Sequence, residues 1–309
     1  MSNIDISIVV PCFDEETSIP HIYNEINKVL TSINRQFEII FIDDGSRDNT
    51  LSVLRGLADQ DVRAHYISFS RNFGKEAAVL AGLQSAKGDY IVTMDADGQD
   101  PPSLIPDMLE AVTCGEFDCA GTRRVNRKGE PVIRSFFARR FYALMKKLSD
   151  VEIADGARDF RLMSRKYLNA ILELQERNRF SKGIFPWIGF KIKWFEYVNI
   201  ERKKGETKWS FWKLFLYSLD GIIAFSSKPL AIASFMGVLL FMASILSISF
   251  IIIRRLIWGD PVSGWASTVC IILFCSGVQL FTTGILGQYA AKIYTEVKGR
   301  PHYIVREAK

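Results

Sequence analysis

The sequence predicts an α/β domain built on a mostly parallel sheet, followed by two transmembrane helices. Short β-rich runs alternate with helical segments over residues 1–122, which is typical of βαβ units. Two long stretches without a charged residue lie near the C-terminus. The chain has 309 residues, 48% hydrophobic and 24% charged, which allows a sizeable core and excludes a disordered chain or a disulfide-stabilised miniprotein.

The β-rich runs are predicted as five strands, at 6–10, 38–42, 65–69, 90–94 and 118–121. Segments with helical periodicity separate them, at 19–33, 51–57, 77–86 and 104–112. Because ligands of such sheets bind beyond the carboxyl ends of the strands, functional residues are expected just after each run. These positions are 11–16, 43–48, 70–76, 95–100 and 122–124.

Two apolar stretches predict the transmembrane helices. Residues 229–253 form 25 consecutive positions without a charge, and residues 261–291 form another 31. At about 1.5 Å of rise per residue, either stretch is long enough to cross a hydrocarbon layer of about 30 Å as a helix. The predicted spans run over about 229–253 and 265–289.

Charged residues around these spans predict the membrane topology. Lys and Arg residues precede the first span and follow the second, while the loop between them is short. The positive-inside bias therefore places both termini in the cytoplasm, and the first ten residues have no signal-peptide character. We expect a multi-pass protein of the inner (cytoplasmic) membrane. Its parts are a cytoplasmic domain at 1–208, an interfacial amphipathic helix at 209–228, and a two-helix membrane region with a cytoplasmic C-terminal tail at 229–309.

Formal charge is distributed unevenly along the chain. Residues 1–120 hold 8 Lys and Arg against 20 Asp and Glu, and residues 121–228 hold 24 against 11. The acidic part favours a bound metal, and the basic part favours phosphates or an anionic membrane surface. Residues 133–148 form an amphipathic segment that fits a solvated helix packed on the sheet as well as a helix at the membrane surface. Residues 210–225 favour the interfacial alternative because they directly precede the first span.

The sharpest local motif follows the fourth predicted strand. Asp95, Asp97 and Gln99 offer hard oxygen ligands of the kind that suits Mg²⁺ or Mn²⁺ bridging a diphosphate. The alternative is an acidic turn, because Asp and Gly are common turn residues.

Two further polar clusters follow the first and second predicted strands. Asp43 and Asp44 carry carboxylates that could accept hydrogen bonds from a base or a ribose hydroxyl. Ser46 is equally compatible with a helix N-cap. Phe13 and Glu15 could hold a nucleotide base. The coincidence of three such clusters on one sheet edge favours a nucleotide and metal site.

Together these residues resemble the glycosyltransferase family 2 enzymes with a GT-A fold, whose sheet is Rossmann-like and mostly parallel. Within that family they resemble the polyprenyl-phosphate glycosyltransferases, which include bactoprenol glucosyltransferases and dolichol-phosphate mannose synthases. The matching stretches are Val9–Glu16, Ile42–Ser46, Arg71–Glu76, Met94–Pro102, Asp159–Ser164, Arg177–Gly183 and Arg202–Lys208, with the paired C-terminal spans. Phe13-Asp14 departs from the Tyr-Asn that is more common in the family.

The resemblance implies a set of site residues. The sugar nucleotide would be held by Pro11, Phe13, Glu15, Asp44, Asp95 and Ala96, with Arg123 near the diphosphate or sugar. The resemblance also implies a divalent metal, Mg²⁺ or Mn²⁺, on Asp97, Gln99 and Asp95. Asp159 matches the position of the catalytic base.

The implied reaction is an inverting transfer of one sugar from UDP-glucose or another UDP-hexose to undecaprenyl (polyprenyl) phosphate, for cell-envelope glycan modification. A lipid phosphate is already mostly ionised at pH 7, with a second pKa near 6, so a strong base is less necessary. We therefore expect Asp159 mainly to position Arg161 and the acceptor. Arg202 and Lys208 are expected to bind the lipid phosphate. A homo-oligomer is expected, and no nucleic-acid partner.

Two other functions share part of these features. A processive polysaccharide synthase would carry similar acidic clusters, but it would also need a Q-x-x-R-W motif and more spans, and the sequence has neither. A catalytically inactive, membrane-anchored scaffold that binds sugar nucleotides would not need every acidic position. Release of UDP that depends on both metal and polyprenyl phosphate separates these three alternatives.

Overall fold

A computed structural model of the protein describes residues 4–124, 154, 156–197, 223, 226–258 and 264–309. The amphipathic segments predicted at 133–148 and 210–225 lie outside these residues, apart from Ile223. Arg202 and Lys208 also lie outside them.

Eight strands form one mixed sheet in the order β7-β5-β6-β4-β1-β2-β3-β8. The strands are β1 (Ile6–Cys12), β2 (Phe37–Asp43), β3 (Ala64–Phe69), β4 (Tyr90–Thr93), β5 (Cys119–Arg124), β6 (Ala157–Ser164), β7 (Ile192–Tyr197) and β8 (Val305–Ala308). Only β6 and β8 pair antiparallel with their neighbours. The other pairs, β1 with β2 and β4, β2 with β3, and β5 with β7, are parallel. This architecture confirms the predicted α/β fold with a mostly parallel sheet.

The described part of the sheet-containing domain includes six α-helices. They are α1 (Ile19–Ser32), α2 (Thr50–Gln60), α3 (Lys75–Ser85), α4 (Ile105–Thr113), α5 (Arg165–Glu173) and α6 (Ser181–Trp187). The five predicted strands and the four predicted helices are therefore present, and their ends differ from the prediction by up to three residues. Strands β6, β7 and β8 are additions to the predicted set.

The sheet is covered by helices on both faces. Along β2, Phe37, Ile39 and Phe41 pack in one apolar cluster together with residues of α1, α2 and α4. The alternate residues Ile40 and Ile42 pack in a second cluster with residues of α3, α5 and α6. Successive side chains of a strand point to opposite faces, and burial on both faces is typical of a central parallel strand. Apart from a few buried polar groups such as Ser7, Glu38 and Arg161, the central strands present apolar side chains to both layers of helices.

Two long apolar helices follow the domain, α7 (Lys228–Trp258) and α8 (Trp265–Lys298). By length and composition, Lys228–Ser247 and Ile271–Lys298 are able to cross a membrane. Most of their described large apolar side chains are exposed, as expected of helices that face lipid. The second candidate span ends later than the predicted 265–289.

The C-terminal end of α8 is attached to the domain. Helix α8 stops at Gly299, which adopts a left-handed conformation, and the chain then adds β8 to the edge strand β3. Glu307 forms a bidentate ion pair with Arg55 at 2.7 and 2.8 Å, and Tyr303 stacks on Phe69 with ring centroids 4.8 Å apart. The segment that follows α8 is therefore part of the sheet, which attaches the C-terminal end of α8 to the domain.

Candidate active site

The antiparallel pairing of β4 and β6 brings two distant parts of the chain together at one sheet edge. Thr93 lies opposite Arg161, and continuing this register by two residues places Asp159 beside Asp95. The Thr93 hydroxyl donates a hydrogen bond of 2.6 Å to the backbone carbonyl of Asp159. The predicted catalytic and metal-binding carboxylates are thus neighbours.

Lys75 lies between these two carboxylates. Its Nζ is 2.6 Å from Oδ1 of Asp95 and 2.5 Å from Oδ2 of Asp159. Burial alone would lower the pKa of Lys75, but the Asp159 and Asp95 carboxylates raise it well above its usual value. Burial alone would raise the pKa of Asp159, but Lys75 and Lys182 lower it below its usual value. Asp159 is therefore ionised and is a weak proton acceptor.

Arg161 is not the partner of Asp159. Its side chain is only 1% exposed, and its guanidinium lies 3.6 Å from the centroid of the Phe185 ring. Nη2 of Arg161 donates to the backbone carbonyl of Arg158 at 3.1 Å, while Nε and Nη1 have no hydrogen-bond partner among the described residues. The ion-pair partner of Asp159 is Lys75, which reaches it from α3. The positioning of Arg161 by Asp159 and the catalytic role of Arg161 stay predictions.

A small cavity lies next to Lys75. Glu76 accepts hydrogen bonds from the backbone N–H of Ser181, at 3.1 Å to each carboxylate oxygen, and from the Ser181 hydroxyl. Burial raises the pKa of Glu76. The cavity is lined by Lys75, Glu76, Val79, Thr93, Asp159, Ser181 and Phe185. Glu76 therefore anchors the start of α6 against the start of α3 at this site.

The acidic loop after β4 is organised by Asp100. This residue is 1% exposed and accepts hydrogen bonds of 3.0 Å from the Asp95 backbone N–H and from the Tyr197 hydroxyl. Nη2 of Arg158 lies 3.4 Å from both Asp100 and Gln99. Burial, with a further contribution from the Asp95 charge, raises the pKa of Asp100 to about 6. Asp100 thus holds the loop that presents Asp95 and Gln99.

The donor set of this loop fits a hard divalent cation. Asp95, Asp97 and Gln99 contribute oxygen donors within five residues, and Asp97 Oδ1 also accepts from the Gln99 backbone N–H at 3.0 Å. The Lys75 ammonium at Asp95 shows that the position attracts positive charge. Within the described residues, no three Asp, Glu, His or Cys side chains are grouped closely enough to hold a metal by themselves. A cation here would therefore need further ligands, for example diphosphate oxygens.

The carboxylates after β2 face the protein instead. Asp43 is 1% exposed, and its oxygens accept from the Ser46 backbone N–H at 2.9 Å and the Ser68 hydroxyl at 2.7 Å. Each oxygen of the buried Asp43 therefore already accepts a hydrogen bond from the protein, and its predicted contact with a nucleotide stays a prediction.

Asp44 shapes the next loop. Its oxygens accept from the backbone N–H groups of Phe73 at 2.6 Å and Gly74 at 2.9 Å. Burial raises the pKa of Asp44 to about 6, against the effect of these two hydrogen bonds. Gly45 has a φ of +67°, and a Cβ there would come within 2.4 Å of the Arg71 carbonyl carbon. The loops after β2 and β3 are therefore in direct contact.

The loop after β1 is tied to the loop after β2. The backbone N–H of Asp14 donates to the Ser46 hydroxyl at 3.0 Å, and that of Glu15 donates to the Thr50 hydroxyl at 2.9 Å. Because α2 begins at Thr50 after Asn49, Ser46 is not its N-cap. Pro11 and Phe13 are partly exposed at this edge, whereas Ala96 is buried.

Arg123 was expected just after the fifth strand, and it is the penultimate residue of β5. It forms an ion pair of 2.5 Å with Glu196 of β7. Its predicted contact with a diphosphate or sugar stays a prediction.

Four polar residues of the site had no assigned role in the sequence-based prediction. Lys75 and Glu76 lie in the expected functional loop after β3, and Asp100 lies in the one after β4, but the sequence assigns them no role. Arg158 directly precedes Asp159, and no sequence pattern indicates a function for it. A Lys that follows a Gly at the start of a helix, at the same sheet edge as several carboxylates, is the signal that could have identified Lys75.

The chain is similar to known proteins over most of its length. A family model described as "Glycosyl transferase family 2" matches residues 7–172, which include β1 to β6. The "SfII prophage-derived bactoprenol glucosyl transferase" of Shigella flexneri is 41% identical over 98% of this chain and 98% of its own length. The "Prophage bactoprenol glucosyl transferase homolog" of Escherichia coli (strain K12) is 40% identical over 98% of this chain and 99% of its own.

A third relative names no acceptor, and one solved structure is similar to this chain at low sequence identity. The "Uncharacterized glycosyltransferase sll0501" of Synechocystis sp. (strain ATCC 27184 / PCC 6803 / Kazusa) is 38% identical over 98% of this chain and 95% of its own. The structure is glucosyl-3-phosphoglycerate synthase from Mycobacterium tuberculosis in complex with Mn²⁺, UDP-Glc and phosphoglyceric acid. It is 20% identical, covers 71% of this chain and 78% of that chain, and has a TM-score of 0.47.

Proposed function

Because the chain belongs to glycosyl transferase family 2 and is a glycosyltransferase, we propose that it transfers one hexose from a UDP-sugar to polyprenyl phosphate. UDP-glucose is the donor we favour, and undecaprenyl phosphate the acceptor. The observation that carries this proposal is the 40–41% identity to bactoprenol glucosyl transferases over 98% of the chain. That similarity extends through the two apolar helices, which a soluble acceptor would not require.

The sheet edge supports the donor part of the proposal. Pro11, Phe13, Glu15 and Asp44 come from the loops after β1 and β2, which are tied together, and they would surround the nucleoside. Asp95 and Ala96 would meet the ribose and diphosphate from the loop after β4, and Arg123 would approach the diphosphate from β5. Asp43 is left out of this set because its oxygens face inward.

Asp95, Asp97 and Gln99 would hold a divalent metal, Mg²⁺ or Mn²⁺. When bound, the metal would neutralise charge that builds on the leaving nucleoside diphosphate. Asp100 and Arg158 would keep this loop in place from the buried side, through the 3.0 and 3.4 Å contacts described above.

The acceptor part of the proposal follows from the ionisation of the lipid phosphate and of Asp159. An oxygen of the acceptor phosphate attacks C1 of the sugar, the C1–O bond to the diphosphate breaks, and its electron pair leaves with the nucleoside diphosphate. A single displacement of this kind inverts the configuration at C1. Since a lipid phosphate has lost most of its second proton at pH 7 and Asp159 is paired with Lys75, no strong general base is needed. Arg202 and Lys208 stay predictions as ligands of the lipid phosphate.

The attachment of the apolar helices supports a membrane location. Helix α7 starts at Lys228 and α8 ends at Lys298, and the Tyr289 hydroxyl donates to the Ser226 carbonyl at 2.5 Å near these two ends. Strand β8 then joins the sheet, so the domain and the C-terminus would share one side of the membrane. Together with the positive-inside bias, this favours the cytoplasmic face of the inner membrane. The homo-oligomer stays a prediction.

A donor screen tests the proposal. The full chain in detergent is mixed with each common nucleotide sugar, Mg²⁺ or Mn²⁺, and polyprenyl phosphate, with the uncharged polyprenol as control. We expect UDP release only when a UDP-hexose, metal and polyprenyl phosphate are all present, and a lipid product heavier by one hexose in mass spectrometry. Absence of release with every nucleotide sugar would overturn the proposal. Products with several sugars would favour a processive synthase, and UDP binding without turnover would favour a scaffold.

A further inference from the structure

The Lys75 ammonium is shared by two carboxylates that come from different strands of the sheet. Asp95 follows β4, Asp159 lies on β6, and Lys75 is the first residue of α3. Given the transfer reaction proposed above, we propose that Lys75 binds the phosphate of the acceptor lipid and holds it beside the sugar. Asp159 is then a positioning residue that orients Lys75.

The hydrogen-bonding capacity of Lys75 fits this role. An ammonium group has three donors, and Asp95 and Asp159 accept from Nζ in the structure. If Asp95 binds the metal, repulsion between the metal cation and the Lys75 ammonium would weaken the pairing of Asp95 with Lys75. The ammonium would then keep Asp159 as its partner and turn further donors to an incoming phosphate.

Exposure separates Lys75 from the two arginines of this edge. The Lys75 side chain is 42% exposed, whereas Arg158 is 20% exposed and faces Asp100. Arg161 is covered by Phe185. Lys75 is therefore easier for an acceptor phosphate to reach from solvent than either arginine, and Lys182 is a further, partly exposed cation near Asp159.

The backbone before Lys75 is held in place. Gly74 has a φ of +100°, and its N–H together with that of Phe73 donates to Asp44. Glu76, the next residue, holds the start of α6 through Ser181. The Lys75 side chain thus extends from a fixed point, and its ammonium can exchange partners without movement of the loop.

Lys75 supplies charge to the reaction and exchanges no proton. The acceptor oxygen forms its bond to C1 while the bond from C1 to the diphosphate oxygen breaks, and the electron pair leaves with the diphosphate. The ammonium offsets repulsion between the anionic acceptor and the acidic edge of the sheet as the acceptor approaches.

Neutral and charged substitutions of Lys75 test the inference. Lys75→Gln removes the charge but keeps an amide that can donate to a carboxylate, and Lys75→Arg keeps the charge. Lys28→Met, at an exposed position of α1, is the matched control for loss of a lysine. Each variant is assayed for kcat and KM with a short-chain polyprenyl phosphate. Mn²⁺-dependent binding of UDP is measured separately by calorimetry.

We expect Lys75→Gln to raise KM for the polyprenyl phosphate about 10-fold or more, while UDP affinity changes by less than about 2-fold. Lys75→Arg should recover much of the acceptor affinity, and Lys28→Met should match the wild type. An unchanged acceptor KM in Lys75→Gln would overturn the inference, as would a loss of UDP affinity as large as the rise in KM. If the wild type itself transfers no sugar to polyprenyl phosphate, the proposed function fails instead.

Discussion

Two clusters of carboxylates lie at the same edge of the sheet and meet different partners. Asp43 and Asp44, after β2, accept hydrogen bonds from backbone N–H groups and a serine hydroxyl. Asp95, after β4, and Asp159, on β6, share the Lys75 ammonium. The first cluster shapes the loops of the edge, and the second carries the charge that a donor, a metal or an acceptor would meet.

The difference follows from what packs beside each strand end. The loop after β2 lies against the loop after β3, where a Cβ on Gly45 would touch the Arg71 backbone. The two loops are in direct contact there, so Asp44 accepts hydrogen bonds from the backbone N–H groups of Phe73 and Gly74. The end of β4 lies next to the antiparallel β6, and there charged side chains meet each other and solvent. Position within the sheet thus decides whether an Asp is paired with the backbone or with a charged side chain.

The largest effect is expected from Asp97→Ala, in the loop after β4 that also carries Asp95 of the second cluster. Loss of a metal-binding carboxylate should reduce sugar transfer on the order of 1,000-fold, about 4 kcal/mol in the barrier, and abolish Mn²⁺-dependent UDP binding. Transfer rate, calorimetry and the melting temperature are compared with those of Asp107→Ala, an exposed residue of α4. Metal-dependent UDP binding that survives in Asp97→Ala at wild-type affinity would contradict the metal assignment.

Asp43→Ala should have the opposite profile. It leaves the buried Ser68 hydroxyl and the partly buried Ser46 N–H without their acceptor, which should reduce the free energy of unfolding by about 3 kcal/mol. The affinity of the folded protein for UDP and Mn²⁺ should change little. Thermal unfolding in detergent measures the first effect and calorimetry the second. Lost UDP affinity with an unchanged melting temperature would mean that Asp43 touches the donor after all.

Asp44 should make stability depend on pH. Its pKa is about 6 in the folded protein and about 3.8 in the unfolded chain, because burial outweighs its hydrogen bonds to Phe73 and Gly74. The folded state therefore binds the proton more tightly, and stability should fall as pH rises from about 4 to about 6. The Asp43 charge adds to the rise in pKa and Arg71 opposes it.

Asp44→Asn isolates this contribution. The wild type should lose up to about 2 kcal/mol relative to Asp44→Asn between pH 4 and pH 6.5, as measured by chemical unfolding at each pH. Parallel pH profiles of the two proteins would show that Asp44 keeps an ordinary pKa, and the contrast between the clusters would weaken.

Glu296 extends the comparison to an exposed carboxylate near the end of α8. Its Oε1 accepts from the backbone N–H groups of Arg177 at 2.8 Å and Asn178 at 3.0 Å. Glu296→Gln weakens these bonds in solvent and should cost about 1 kcal/mol or less. Limited proteolysis of the segment between α5 and α6 should then be faster, with the melting temperature nearly unchanged. We expect the stability cost of losing a carboxylate to grow with its burial. A fall in melting temperature as large as that of Asp43→Ala would contradict this expectation.

Much of the fold could be predicted from local patterns. Short β-rich runs marked β1 to β5, and helical periodicity marked α1 to α4, because both patterns arise within a few residues. Strand β8 is four residues long, polar, and pairs with β3 across more than 230 residues, so no local pattern could indicate it. Strand β6 also depends on its neighbours, since it lies antiparallel between β4 and β5.

In the candidate site, too, local sequence predicted some features, and others depend on residues that are distant in the chain. The spacing of Asp95, Asp97 and Gln99 after a buried strand predicted an oxygen-rich loop, and that loop is present. The ion pair of Asp159 could not be predicted from nearby residues, because Arg161, two residues away on the same strand, lies under Phe185. Lys75, which is 84 residues away in the chain, approaches from α3.

The sequence by itself determined the strand and helix order of the first half, the two apolar helices and the acidic residues at the strand ends. These depend on hydropathy and periodicity, which act along the chain. Only the tertiary structure decided which carboxylates turn inward and which pair with a cation. That choice depends on the register of β4 with β6 and on contacts between loops, where charges tens of residues apart in the chain come within hydrogen-bonding distance.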